Sequence, residues 1–351
     1  MKGVLLVNLG TPGSPTLAGV HQYLVEFLTD PRVMDLPKWK TELLVRGIIV
    51  PLRLFSSTRS YQRIWTKEGS PLTLHTASSA RLLQEKLGED FKVDWAMRYP
   101  KKSCEQAIQR LLSEPLEQLI ILPLFPQYAS ATTGSVLEHV MNILSKYTLL
   151  PEIKMISSFY DHPALIQAFA KQAESIKLQD FDRVLFSFHG LPVRQLKKAN
   201  KKNCCGTRDC CEAFYPENNQ CYAAQCYATA RGIAEALQIQ PQHYEICFQS
   251  RLGKEPWIGP FTSDRLKQLG KEGCKKIAVF CPSFVCDCLE TSYEIAIEYQ
   301  ELFEEAGGET LKLIPGLNAS PGWIEALKEI ILPKRSVNEY ITLKDWTFDK
   351  I

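Results

Sequence analysis

His189 stands at the end of an apolar run of strand length and directly before Gly190 and Pro192, residue types that turn a chain sharply. A histidine carried into a cleft in this way can take or give a proton near neutral pH; its ordinary counterpart is an imidazole hydrogen-bonded to a loop. Acids recur at Glu290, Glu294 and Glu298, a spacing that on a helix places three carboxylates along one face. Such a stripe normally faces water, because like charges repel. Here Ile295 and Ile297 flank it and it begins beside Asp287 and Cys288 in a strand-end loop, so it is expected to be partly buried, with raised pKa values and a use in handling protons or cations. A third group is sulfur-rich: Cys204, Cys205, Cys210, Cys211, Cys221 and Cys226 crowd one segment, out of 12 cysteines in the chain. Clustered thiols in a chain without an export signal suit metal better than disulfides. Four thiolates serve a tetrahedral zinc ion or an iron–sulfur cluster equally well, and spacing does not separate the two. Reduced thiols with no ligand are the bland alternative. Cys104, Cys247, Cys274, Cys281, Cys286 and Cys288 are scattered through strand-like or helical surroundings and read mostly as small buried hydrophobes.

These groups need elements to position them. Apolar runs of strand length occur at 3–8, 93–97, 118–124 and 153–159, and again at 183–188, 244–248, 276–280 and 311–315. Buried strands alternating with helices predict an α/β fold with parallel sheets of the doubly wound kind. The two sets are spaced alike, each with a long first connection, which suggests two similar lobes: residues 1–165, and residues 166–335 carrying a Cys-rich insertion at about 196–222. In such folds ligands bind at the carboxyl ends of strands. The unusual residues lie there: Asn8-Leu9-Gly10-Thr11-Pro12 after the first run, Pro123 to Tyr128 after the third, Ser187 to Gly190 after the fifth, and Cys281 to Cys288 after the seventh.

With 351 residues, 45% of them hydrophobic, the chain has material for two real cores. Its formal net charge of +2 offers no global attraction to a polyanion, so nucleic acid is not an expected partner. The apolar start is too short for a signal-peptide core, and a cytoplasmic protein is expected. Residues 43–55 are interrupted by Arg46, Pro51 and Arg53 and fall short of the roughly 20 apolar residues of a membrane span. They suit a helix lying on a bilayer surface, or one buried beside a pocket.

Seven blocks, in order, resemble the ferrochelatase family: Asn8 to Pro12; Gly69-Ser70-Pro71; Arg98-Tyr99; Pro123 to Tyr128 with Thr132 to Ser135; Ser187 to Gly190; Phe248-Gln249-Ser250-Arg251 with Glu255-Pro256-Trp257; and Asp287 to Thr291. The resemblance covers essentially the whole chain. It implies two Rossmann-like lobes around a porphyrin cleft and the insertion of ferrous iron into protoporphyrin IX to form protohaem. By the same resemblance His189 faces the ring nitrogens as proton acceptor or metal guide, with Glu290 opposite it and Glu294 next along the path, so that substrate Fe²⁺ meets His189 and Glu290. Leu9, Tyr61 and Trp257 match wall positions, Arg53 and Ser70 positions near propionates, and Arg98 and Tyr99 a further pair in the pocket. The Cys-rich segment resembles the insertion that holds a [2Fe–2S] cluster in some bacterial members, with Cys204, Cys210, Cys211 and Cys221 as ligands, Cys205 as a substitute for Cys204, and Cys226 outside the set. Cys288 stands where some relatives have His. Competing readings are a coproporphyrin III ferrochelatase, a cobalt or nickel chelatase on the same fold, a tetrapyrrole carrier without catalysis, and a two-lobed metal receptor. The carrier has no use for His189 and Glu290 together, and the receptor lacks its export signal.

Overall fold

The computed structural model describes residues 1–100, 102–199, 209–212, 218–251, 253 and 255–332. Its strands are β1 Lys2–Gly10, β2 Phe91–Tyr99, β3 Gln118–Pro123, β4 Glu152–Met155, β5 Arg183–His189, β6 Tyr244–Gln249, β7 Lys276–Phe280 and β8 Thr310–Leu313. Each coincides with one of the expected runs. β4 stops short of residue 159 because the chain there turns to other partners, the Phe159 N–H bonding the Pro126 carbonyl at 3.0 Å. The strands form two four-stranded sheets ordered β2-β1-β3-β4 and β6-β5-β7-β8, parallel throughout. The same order appears twice, so the α/β fold is built from two like sheets.

Alternation along the strands decides the layers. Val4 and Leu6 of β1, Ile120 and Leu122 of β3, Phe186 and Phe188 of β5, and Ala278 and Phe280 of β7 belong to one continuous core between the sheets. Leu5, Val7, Leu119 and Ile121 point the other way, onto the helices Lys102–Leu112 and Ser135–Leu144. Leu185, Ile277 and Val279 face outward on the second sheet, against the helix Thr262–Lys271. Strands covered on both faces carry apolar runs without an exposed side, which is why they are so legible in the sequence.

The helices Pro71–Leu87, Pro163–Ala173, Tyr222–Ala236 and Pro321–Ile331 fill the central layer. The last packs on the first two. It starts cleanly, with the Ser320 hydroxyl accepting the Trp323 N–H at 3.4 Å and Pro321 in its first turn. That start drives Trp323, fully buried, into the core beside Phe159. Polar ties join the two sequence halves: Gln127 Nε2 donates to Thr229 Oγ1 at 2.9 Å, and Ser79 Oγ donates to the Asn318 carbonyl at 2.8 Å.

One element departs from expectation. Residues Glu290–Tyr299 form a π-helix, not an α-helix; this wider i→i+5 turn is rare and is found mostly at functional sites. Trp323→Ala is expected to cost about 3–5 kcal/mol of stability, read as a lowered urea midpoint with an unchanged slope.

Candidate active site

The carboxyl ends of β1, β3, β5 and β7 are the places where buried strands turn polar, and the expected residues gather around them. His189 ends β5 and pairs in register with Gln249 at the end of β6. Its imidazole is half-buried and lies edge-on to Phe284, 6.3 Å between centroids. Nδ1 lies 2.6 Å from the Gly190 carbonyl. A carbonyl only accepts, so Nδ1 carries a proton, and Nε2 is the nitrogen left to exchange one. Gly190 is required at this point. Its N–H bonds the Gln249 carbonyl at 2.8 Å, and a Cβ there would sit 2.8 Å from the same oxygen and 3.3 Å from Trp257. Trp257 is thereby placed next to Gly190, with its indole N–H buried and without a hydrogen-bond partner among the described residues.

The three acids of the π-helix do not share one environment. Glu290 lies by Tyr23, Tyr61 and Cys288: burial raises the pKa of all three, and the Glu290 charge raises each further, for Tyr61 after the charge of Tyr23. Glu294 faces β6 instead. It accepts from Ser250 Oγ at 2.7 Å, Tyr299 Oη at 3.0 Å and Gln249 Nε2 at 3.5 Å. Ser250 holds a left-handed φ of 66° to do so, a strained conformation of the kind found at functional sites. Glu298 is exposed at the far end, its pKa raised first by partial burial and then by the Glu294 charge. The line of carboxylates expected on an α-helical face is therefore divided among three surroundings.

Tyr61 lies on the helix Val50–Ile64, which packs against the π-helix, with the Arg63 guanidinium 5.7 Å from the Tyr293 ring. An aromatic chain runs on from it: Tyr61 to Tyr23 at 6.2 Å, Tyr23 to Phe27 at 5.9 Å, and Phe27 to Tyr99 at 5.3 Å. Arg53, two turns earlier on the same helix, is exposed. Leu9 is half-buried at the end of β1, and Ser70 is buried with its hydroxyl 3.0 Å from Thr11 Oγ1.

Arg98 and Tyr99 are held by Asp30, a residue that no local pattern singles out. Asp30 Oδ2 accepts from Arg98 Nη2 at 2.6 Å, from Tyr99 Oη at 2.7 Å and from Ser135 Oγ at 2.8 Å. Burial alone would raise the Asp30 pKa. The donors from Tyr99, the Arg32 N–H and Ser135, with the Arg98 charge, outweigh it and hold the carboxyl below its usual value. Arg98 Nη1 is buried with no hydrogen-bond partner among the described residues.

Residues 1–335 match the ferrochelatase family profile. The ferrochelatase of Legionella pneumophila (strain Lens) is 43% identical over 330 residues, covering 94% of this chain and 98% of its own. That of Coxiella burnetii (strain Dugway 5J108-111) is 43% identical over 331 residues, covering 93% of this chain and 92% of its own. The chain belongs to the ferrochelatase family. Its fold is also that of SirB from Bacillus subtilis, solved with Fe³⁺, at a TM-score of 0.52 and 13% identity over 94% of this chain and 96% of that one. The sirohydrochlorin chelatase SirB of Bacillus subtilis subspecies spizizenii, in complex with cobalt, gives 0.50 and 11% over 94% and 95%.

This ferrochelatase keeps five of the six scattered cysteines, Cys104, Cys247, Cys281, Cys286 and Cys288, buried as expected of small hydrophobes, with Cys274 partly exposed. In the Cys-rich segment Cys204 and Cys205 lie outside the described residues. Cys210 and Cys221 are buried, and Cys211 packs with Cys221 and Ile258 in one small apolar cluster. The Cys226 pKa is raised by burial first and also by Cys221 and Cys211, so Cys226, taken from the sequence as an outsider, neighbours both. Among the described residues no three His, Cys, Asp or Glu side chains are grouped closely enough to hold a metal ion.

Asp30→Asn leaves the Arg98 charge buried without its counterion, and a loss of about 3–5 kcal/mol at pH 7 is expected. The folded pKa of Asp30 lies below its unfolded value of about 3.9. Its contribution is therefore present above that value and lost as pH falls through the folded one. Denaturation midpoints measured from pH 7 down to pH 2 should fall less steeply in the variant than in the parent.

Proposed function

We propose that this ferrochelatase takes protoporphyrin IX and ferrous iron and makes protohaem, releasing two pyrrole protons in the last step of haem biosynthesis. The observation that carries the reading is His189: an imidazole whose Nδ1–H is engaged by the Gly190 carbonyl, which leaves Nε2 as the nitrogen that can exchange a proton, at the carboxyl end of a central strand. Leu9, Tyr61 and Trp257 form the walls of the cleft, Arg53 and Ser70 meet propionates, and Arg98 with Tyr99 completes the pocket, where the unpartnered Nη1 of Arg98 is suited to an anionic group. The same reading takes residues 1–165 and 166–335 as the two lobes.

Metal insertion requires that a flat macrocycle be bent so its nitrogen lone pairs point at the metal, that two N–H protons leave, and that Fe²⁺ lose water. Apolar walls hold the ring bent, part-way to the transition state. His189 Nε2 takes a pyrrole proton. Glu290 and Glu294 supply carboxylate oxygens to the iron in place of water, Glu294 being oriented for this by Ser250 and Tyr299. The half-buried His189 and these acids together have a use in an insertion enzyme and none in a carrier.

The Cys-rich segment is proposed to hold a [2Fe–2S] cluster on Cys204, Cys210, Cys211 and Cys221. The gathering of Cys211 and Cys221 in one apolar cluster supports it. Such a cluster would knit the segment together through Fe–S bonds, away from the insertion chemistry. Peripheral contact with a membrane on the cytoplasmic side is supported by Leu43, Leu52 and Phe55, all strongly exposed near Arg46 and Arg53. Among the described residues no helix is long and apolar enough to cross a membrane.

Anaerobic Fe²⁺ insertion, run with protoporphyrin IX and coproporphyrin III side by side, tests the function. Turnover of protoporphyrin IX is expected, falling about 100-fold or more in His189→Ala. Preference for coproporphyrin III would move the protein to the other haem route, and porphyrin binding without turnover would make it a carrier. Protein purified without oxygen should show visible absorbance with iron and acid-labile sulfide in equal amounts, and both should vanish in Cys211→Ala; zinc in their place would refute the cluster.

A further inference from the structure

Tyr222 begins the helix Tyr222–Ala236 and is buried, directly after Cys221 at the helix N-cap. Its hydroxyl lies 2.7 Å from the His189 carbonyl and 3.2 Å from Ser283 Oγ, and the His189 N–H points at Ser283 Oγ from 3.3 Å. The protons can be assigned. A carbonyl accepts only, so the Tyr222 proton goes to His189; Ser283 then donates to the Tyr222 oxygen, and the Ser283 oxygen receives the His189 N–H. The three bonds close a head-to-tail ring around the His189 backbone, in which each hydroxyl donates and accepts at once, an arrangement that strengthens every member. The imidazole is bonded in turn to the carbonyl of the next residue, Gly190, so any rotation of the His189 backbone re-aims Nε2. The thiol of Cys226 stands one turn along the same helix, close enough that its charge, after burial itself, raises the Tyr222 pKa.

We propose that Tyr222 is a positioning residue for proton transfer at His189, and that through it the cysteine-bearing segment is mechanically tied to the insertion step. The inference rests on His189 as the proton acceptor. Tyr222 touches neither porphyrin nor iron; it holds the backbone that aims the acceptor. Cys221 at the N-cap and Cys226 one turn along place two thiols beside the residue whose hydroxyl grips the His189 backbone from behind. A change in what those thiols bind would shift the start of the helix and with it the ring.

The experiment measures anaerobic Fe²⁺ insertion into protoporphyrin IX for wild type, His189→Ala, Tyr222→Phe, Ser283→Ala and the Tyr222→Phe/Ser283→Ala double variant, with porphyrin affinity from fluorescence quenching. Each ring variant should lose roughly five- to tenfold in kcat, with KM and porphyrin affinity unchanged. The double variant should be no worse than the poorer single one, because either change opens the same ring. Cys226→Ala should lower kcat in the wild-type background and leave the Tyr222→Phe value unchanged. Wild-type kcat in Tyr222→Phe beside an impaired His189→Ala overturns the inference alone, as do multiplied losses in the double variant or a raised KM in place of a lowered kcat. Full activity in His189→Ala, or no insertion by the wild type, removes the reading beneath it.

Discussion

A parallel strand covered on both faces can carry polar chemistry only where it ends, since a charged or titratable side chain within it would be buried among apolar neighbours on either side. In β1 the residues Val4 to Val7 are wholly buried, and the polar run starts at Asn8. In β5 the one interior polar group, Ser187, is satisfied by Gln249 Oε1 and Thr262 Oγ1, each at 2.8 Å, and His189 waits for the last position. Because the strands of each sheet are parallel, their carboxyl ends come out on one edge. The repeated order sets a switch point between β1 and β3 in one sheet and between β5 and β7 in the other, where loops part and leave room for a ligand.

The second consequence is that nearly every polar atom near the cleft is engaged. Asp30 receives three side-chain donors, Glu294 receives Ser250, Tyr299 and Gln249, and Asp287 is tied to Thr291 and Asn318. Unpartnered groups inside a low-dielectric site are costly, so the few that remain are informative. Among the described residues Nη1 of Arg98 and the indole N–H of Trp257 are of this kind. A rigid frame of satisfied bonds with a small number of loose atoms suits a reaction that must accept protons and shed water from a cation at fixed places.

The strand pattern was legible because burial on both faces leaves continuous apolar runs, and all eight strands coincide with them. The loops were legible because Gly, Pro and the unusual residues cluster at strand ends. The acids at 290, 294 and 298 were visible as a stripe, yet the π-helical turn was not, nor was their separation into different surroundings, which follows from Tyr23 and Tyr61 beside Glu290 and from Gln249 and Ser250 beside Glu294. Cys226 was set apart by the family resemblance and placed beside Cys211 and Cys221 by the fold.

The residue types that carry the chemistry, the elements that bear them and the family blocks that order them were determined by the sequence alone, because they depend on neighbours a few positions away. Which polar atoms are engaged and which are free was decided by the tertiary structure. The Arg98 counterion is 68 residues distant and the Tyr222 hydroxyl grips a backbone 33 residues away. Hydrogen-bond partners at such separations are chosen by the packing of whole sheets and helices, and no local pattern encodes them.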